Sequence, residues 1–410
     1  MQFAPLPSSF YIQARKHLTD ALKPGSIAIF HSNDKYSINA DQYFPFRQNK
    51  DLLRLTGIYQ ENTVLVLFPD HPLKEKREIL FISKASDHEK TWDGDTLSVS
   101  DIQDISGIQS VVDYAQFESI VFNLIPQAEY IYLNSNERAH YPTAIESKNE
   151  RCGKYIISQF PYHKIERMQP VLKSLNLIKT QEEIEAIRLA IQLTGNTWNT
   201  IADLIRPGVF EFEIAAAISY EFERKGGIHA FHPIVASGSN ACTLHYHANK
   251  SKIARDDVVL VDFGCELNGY AADMTRCKAA DGVMNKRQFQ VYDQVLNLYQ
   301  TARQKIKPGI TLHEINEHIK PYLLEAILQL GLETEANEKF IKKYMPHGVS
   351  HFLGGDVHDY GDRYTLLKPG MIVTCEPGLY IHNEAMGIRL ENDLLITEHG
   401  NEDLMKGYDL

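Results

Sequence analysis

Two passages about a hundred residues apart repeat one another, and this repeat constrains the fold more than any composition figure does. Ile205-Arg206-Pro207-Gly208-Val209, followed by Glu213-Ile214, is matched by Ile306-Lys307-Pro308-Gly309-Ile310, followed by Glu314-Ile315. Each passage separates two helices. Thr180 and Glu183 form a capping box, and Ile184, Ile187, Ile191, Thr194, Trp198, Ile201 and Ile205 follow on one helical face. Arg206-Pro207-Gly208 stops that helix, and residues 212–222 begin another, closed by Gly226-Gly227. In the second copy Phe289, Tyr292, Leu296, Tyr299, Ala302 and Ile306 share a face, and residues 312–330 form a helix that Pro321 should bend. A duplicated helix pair predicts two related halves.

Each half also carries a β-ribbon with acids in it. Val258-Val259-Leu260-Val261-Asp262-Phe263-Gly264 runs into Asn268-Gly269, the pair that a two-residue type I′ turn requires, and returns through Ala272-Asp273-Met274-Thr275-Arg276. With Asn268 and Gly269 as the loop, cross-strand partners have numbers adding to 537, so Asp273 faces Gly264 and lies diagonal to Asp262 on one face. The counterpart is Thr374-Cys375-Glu376-Pro377-Gly378 with Leu390-Glu391, and by analogy Glu391 should face Gly378 across a loop centred near Glu384-Ala385. A carboxylate in so apolar a strand costs several kcal/mol unless a cation meets it, and the first strand has no Lys or Arg. Acids facing solvent on an edge strand are the alternative. Duplication favours the cation.

Four carboxylates, Asp262, Asp273, Glu376 and Glu391, suit two divalent ions better than one, and with imidazole nearby they suit Mn²⁺, Co²⁺ or Zn²⁺, Mn²⁺ being expected here. The imidazole comes from His347-Gly348-Val349-Ser350-His351, just before the second ribbon, with His358 beyond it. Two ions about 3.5–4 Å apart share a hydroxide and polarise a carbonyl, which is equipment for amide hydrolysis. His245, in Leu244-His245-Tyr246, and His358 would then stabilise the tetrahedral intermediate or move protons.

The first third differs in kind. A helical face from Phe10 to Leu22 precedes the strand Ile27-Ala28-Ile29-Phe30, and Val64 to Phe68, Ile79 to Ile82 and Tyr130 to Leu133 are further buried strands, which makes an α/β domain. Phe44-Pro45-Phe46-Arg47-Gln48-Asn49-Lys50-Asp51 reads as a loop, and residues 162–177 mix charge, a proline and one apolar run, so the domains are expected to be 1–174 and 175–410. The net charge of −11 excludes nucleic acid or an acidic membrane as the main partner and leaves peptides or small molecules. No run approaches the ~18 apolar residues of a membrane span, and residues 1–5 lack a secretory pattern, so the cytoplasm is expected. The five cysteines form no C-x-x-C pair and are expected to be reduced.

Taken together, the motifs resemble a family. Leu244-His245-Tyr246, Asp262-Phe263-Gly264, Asp273-Met274-Thr275-Arg276, His347-Gly348 with Ser350-His351, Glu376-Pro377-Gly378-Leu379-Tyr380 and Arg389-Leu390-Glu391 are similar to those of the dinuclear metallopeptidases of pita-bread fold, among them aminopeptidase P and prolidase. The resemblance implies an α+β catalytic domain with a pseudo-two-fold repeat behind the α/β N-terminal domain. It makes Asp262 a ligand of one metal and His351 and Glu376 ligands of the other, with Asp273 touching both and Glu391 bridging. It gives catalytic support to His245, His358 and Arg389, and substrate contacts to His347, Tyr380 and Asp41. The stretch from Asp41 to Asn49 with Thr56-Gly57 is similar to the aminopeptidase P arm that reaches a neighbour's site in tetramers, implying a homodimer or homotetramer. Leu52-Leu53-Arg54-Leu55 departs from the family's aromatic pattern, and the loop of residues 381–387 is shorter than in well-known members.

The implied activity is removal of the first residue from peptides with proline second. The alternatives are an Xaa-Pro dipeptidase and a metal-free peptidase-like scaffold. A dipeptidase must hold the proline carboxylate, and the arginines near the motifs are Arg276, Arg363 and Arg389. Arg389 shares a strand face with Glu391 and is expected to be occupied there, which leaves Arg363 as the anchor to look for.

Overall fold

The computed structural model describes residues 3–135, 137 and 144–410. The chain divides into compact units, Ala4–Asn176 and Leu177–Leu410.

In the first unit Ser26–His31 is buried along its whole length, pairing antiparallel with Val64–Leu67 and parallel with Tyr130–Leu133. Glu78–Ile82, Ser110–Asp113 and Lys164–Arg167 complete a six-stranded mixed sheet. Continuous apolar runs form its inner strands because both faces are covered, with Ile27, Ile29, Val66, Phe81 and Ile131 in one core cluster. The strand Lys164–Arg167 and the helix Gln169–Asn176 occupy the stretch whose sequence carried no clear period: an exposed, charged edge strand shows little alternation. Part of the expected loop is helical as well. Lys50–Thr56 is a helix, capped by the Asn49 side chain on the Leu52 N–H and ended by Gly57 at φ 70°. Asp41 sits in the exposed turn between Ser37–Asn39 and Gln42–Tyr43.

The second unit realises the repeat. Helices Gln181–Ile201 and Glu211–Glu223 correspond to Lys286–Lys305 and Leu312–Gln329, the last containing Pro321. The equivalence extends to hydrogen bonds: Gly208 N–H donates to Ile253 O and Gly309 N–H to Leu367 O, both at 2.9 Å. Ile253 N–H then returns to Val209 O at 2.9 Å, and Leu367 N–H to Ile310 O at 2.8 Å.

The first ribbon keeps the expected register throughout, from Val258↔Ala279 through Asp262↔Thr275 to Leu267↔Tyr270, with Asn268 at φ 52° and Gly269 at φ 86°. At Gly264 the strands approach so closely that an added Cβ would stand 1.8 Å from Ala272 O. The second ribbon corrects the analogy. Gly378 pairs with Arg389, and Cys375 with Asn392, so the register brings Glu376, not Gly378, opposite Glu391. The turn is a tight one over His382–Glu384 with Ala385 left-handed at φ 49°, and it shifts the pairing by two residues. Because side chains alternate with period two, an even shift leaves Glu391 on the same face.

Candidate metal centre

The two ribbons meet at Thr275 and Glu391, which form an isolated bridge with Glu391 N–H donating to Thr275 O. This contact carries the acids of both halves into one cleft of about 600 Å³, lined by Asp262, Asp273, His351, Glu376 and Glu391. Ligand atoms of Asp273, His351 and Glu391 all lie within 4.8 Å of one another. His351 Nδ1 is 3.1 Å from Phe352 O, so Nδ1–H donates there and the Nε2 lone pair is left facing Asp273 Oδ2 at 3.3 Å and Glu376 Oε1 at 3.5 Å.

The acids are poorly compensated by protein alone. Asp262, Asp273 and Glu391 are buried, and Asp262 Oδ1 and Asp273 Oδ1 meet no hydrogen-bond donor among the described residues. Burial, with Glu391 and Asp262 beside it, holds the Asp273 carboxyl well above the usual range; burial and Glu376 do the same to Glu391. Asp262 is raised by burial despite Arg389, whose Nη2 lies 2.5 Å from Asp262 Oδ2. Buried carboxylates with orphaned oxygens, next to an imidazole whose lone pair points at them, are the donor set of a divalent cation.

Around this floor stand supports. Thr275 Oγ1–H donates to Glu391 Oε2 at 2.5 Å and accepts from Arg389 Nε at 3.0 Å. Asp393, wholly buried, accepts the Asp273 N–H at 3.1 Å. Arg276 spends its guanidinium on Thr275 O, Glu391 O, Asn392 Oδ1, Tyr408 O and Asp409 O, which locks the backbone joining the halves. Thr275, Asp393 and this use of Arg276 went unread in the sequence, because each depends on contact between distant segments.

Arg389 is occupied, as expected: besides Asp262 and Thr275 it donates from Nη1 to Tyr380 Oη at 2.7 Å. Tyr380 is buried and lies behind the cleft rather than on its wall; its hydroxyl is 2.7 Å from His347 Nε2, and His347 Nδ1 is 2.7 Å from Gly348 O. Burial lowers the His347 pKa and raises that of Tyr380, so a neutral imidazole accepts from a protonated phenol.

His347, His245 and His358 line the cleft, and the His358 ring stands edge-on to His351 at 4.4 Å between centroids. His232, His247 and Phe231 line it too, although nothing in the sequence around them marks them out. Arg363 is exposed with its guanidinium over its neighbour Tyr364, and it is not on the cleft wall. Asp41 belongs to the other unit.

Comparison with known proteins agrees with this geometry. Residues 185–398 match the model of metallopeptidase family M24, and residues 11–132 match the aminopeptidase P N-terminal domain. The chain is similar to Xaa-Pro aminopeptidase of Escherichia coli K12, at 31% identity over 95% of this chain and 92% of the relative. Its fold is similar to zinc-substituted E. coli aminopeptidase P in complex with product, with TM-score 0.90 and 28% identity over 99% of this chain and 96% of that one. A variant of that enzyme in complex with substrate superposes with TM-score 0.88 and 28% identity over the same shares. With one family model spanning the catalytic unit and a relative above 30% identity along nearly the whole chain, this protein belongs to metallopeptidase family M24.

Proposed function

We propose that this protein is an Xaa-Pro aminopeptidase that removes the first residue from peptides with proline in second position, using two divalent ions, Mn²⁺ being the expected metal. The observation that carries the reading is the convergence of Asp273, His351 and Glu391 within 4.8 Å, flanked by Asp262 and Glu376, in a cleft that several imidazoles line. Asp262, Asp273 and Glu391 would hold one ion, and His351, Glu376, Asp273 and Glu391 the other. When bound, such a pair supplies a nucleophilic hydroxide at neutral pH and Lewis-acid polarisation of the scissile carbonyl.

The chain's own groups do the rest. His245, exposed on the cleft wall, donates a hydrogen bond where negative charge develops on the scissile oxygen, and His358 moves a proton toward the leaving proline nitrogen. Arg389 and Tyr380 fix His347 with Nε2 as acceptor, so that its Nδ1 side faces Glu376 at 3.8 Å. Arg389 and Tyr380 are buried, which strengthens the hydrogen bonds between them and to His347 relative to water.

The dipeptidase alternative needs a cation for the proline carboxylate. Arg389 is committed to Asp262, Thr275 and Tyr380, and Arg363 is turned to Tyr364, so neither is offered to that carboxylate, which supports the aminopeptidase reading. Xaa-Pro-Xaa tripeptides should therefore be cleaved at least as well as Xaa-Pro dipeptides. A tenfold or greater kcat/KM preference for the dipeptide, about 1.4 kcal/mol of transition-state discrimination, would reassign the enzyme.

We place the protein in the cytoplasm, as a homodimer or homotetramer in which Asp41 of one chain contacts substrate in another. All five cysteines are unpaired, four of them buried, and no described helix is long and apolar enough to cross a membrane. Light scattering on the purified chain tests the assembly.

A further inference from the structure

In each half of the catalytic unit the second helix of the pair reaches out to the histidine-bearing segment. In the first half the group that does so is a carboxylate. Glu211 opens the helix Glu211–Glu223 and is fully buried. Its Oε1 accepts from Ser237 N–H at 2.7 Å, from Ser237 Oγ–H at 2.7 Å and from Asn240 Nδ2 at 2.9 Å. Its Oε2 accepts from Tyr246 Oη–H and from Ser251 N–H, both at 2.8 Å.

The donors span an excursion that has almost no ladder of its own. Beyond the 3-10 turn Gly238–Cys242, residues 243–251 form no helix or strand, yet Leu244, His245 and His247 on this excursion line the cleft. Tyr246, between the two histidines, turns the other way and ends on Glu211, and Asn240 Nδ2 also reaches Tyr246 Oη at 3.1 Å and Ser251 Oγ at 2.8 Å. Asn249 secures the far end: its Oδ1 accepts Val235 N–H at 2.9 Å and its Nδ2 donates to Pro233 O at 2.8 Å. In the second half Asn316, on the helix Leu312–Gln329, accepts Val349 N–H at 2.9 Å between His347 and His351. In the alignment of the halves Asn316 stands one helical turn beyond the counterpart of Glu211, which is Leu312, so the two supports are similar in kind and not in position.

We infer that Glu211 is a positioning residue for His245, holding Tyr246 and the excursion's two ends so that the imidazole stands at a fixed place on the cleft wall. A side chain needed within a fraction of an ångström on a segment without ladder bonds requires support of this kind. The inference rests on the role given to His245 above, and its test separates the two.

The test is a double-mutant cycle. Glu211→Gln puts an amide NH₂ where donors converge; Tyr246→Phe is the milder variant, removing one hydroxyl and keeping the ring and the carboxylate. Each is measured alone and in the His245→Ala background, with metal content and kcat/KM on an Xaa-Pro-Xaa tripeptide. The expected result is retained metal and a fall of tenfold or more for Glu211→Gln and about threefold or more for Tyr246→Phe, shrinking to under twofold once His245 is absent. Equal losses in both backgrounds, loss of metal, or no loss from Tyr246→Phe would overturn the inference. Should Glu211→Gln fail to fold, the Tyr246→Phe cycle decides alone. Unchanged activity in His245→Ala itself would instead refute the role of His245.

Discussion

Removing the metal should destabilise this protein more at high pH than at low pH. In the metal-free site Asp273, Glu391 and Asp262 all have carboxyl pKa values raised, chiefly by burial. A group whose folded pKa exceeds its unfolded value contributes stability that is fully present below the unfolded value, near 4, and is lost as pH rises through the folded one. The metal-loaded site has no such protons to lose. If the metal-free site keeps one proton that the loaded site lacks, the stability gap between the two forms widens by about 1.4 kcal/mol per pH unit. From pH 5.5 to 7.5 that is ~2.7 kcal/mol, or roughly 5–11 °C of Tm for a unit of this size. The assay is thermal unfolding of dialysed, chelator-treated protein beside the reloaded protein at several pH values. Groups away from the site cancel in the difference. A gap that stays constant or narrows as pH rises would refute the linkage of these carboxylates to the cation.

Further outcomes follow from other places in the chain. His245→Ala and His358→Ala should each keep their metal while kcat/KM falls ~10²–10⁴-fold; metal analysis beside steady-state kinetics checks this, and loss of metal would mark either residue as a ligand. Gly264→Ala should cost ~3 kcal/mol or more and weaken metal retention, because the new Cβ meets Ala272 O at 1.8 Å between the strands that carry Asp262 and Asp273; urea unfolding and metal content measure it. His31, buried beside Phe117, has its pKa pushed down to about 3 by burial, so the first unit holds it neutral and its contribution is lost as pH falls from 6.5 toward 3, a cost of ~5 kcal/mol in full. His31→Leu should move the acid-unfolding midpoint of that unit to lower pH, and an unmoved midpoint would show that His31 does not set it.

How legible the site was depends on how local each signal is. Asn268-Gly269 announces its own turn, and it alone set the register that puts Asp262 opposite Thr275 and Glu266 opposite Ala271. The second turn has no such signature. Ala385 in a left-handed conformation is not something its sequence suggests, and Pro377, which has no N–H to donate, sits where the ladder changes partners, so the analogy misplaced the pairing by two residues. Because the error was even, Glu391 stayed on its face and the acids were still read as convergent. Groups defined by tertiary contact were invisible: Asp393 behind Asp273, Thr275 between Arg389 and Glu391, and Glu211 behind Tyr246 lie 120, 116 and 35 residues from their partners. In the first unit the inner strands were legible as apolar runs, whereas the exposed edge strand Lys164–Arg167 and the short helix Lys50–Thr56 were not.

Metal-dependent cleavage before proline can be followed as product release. Release of the free first residue from an Xaa-Pro-Xaa peptide is followed with the protein as purified, after chelation, and after reloading with counted equivalents of Mn²⁺. Activity should vanish on chelation and return as metal is bound, approaching its maximum near two ions per chain, with no release when the second residue is not proline. Undiminished release from chelated, metal-free protein would contradict the dependence on metal.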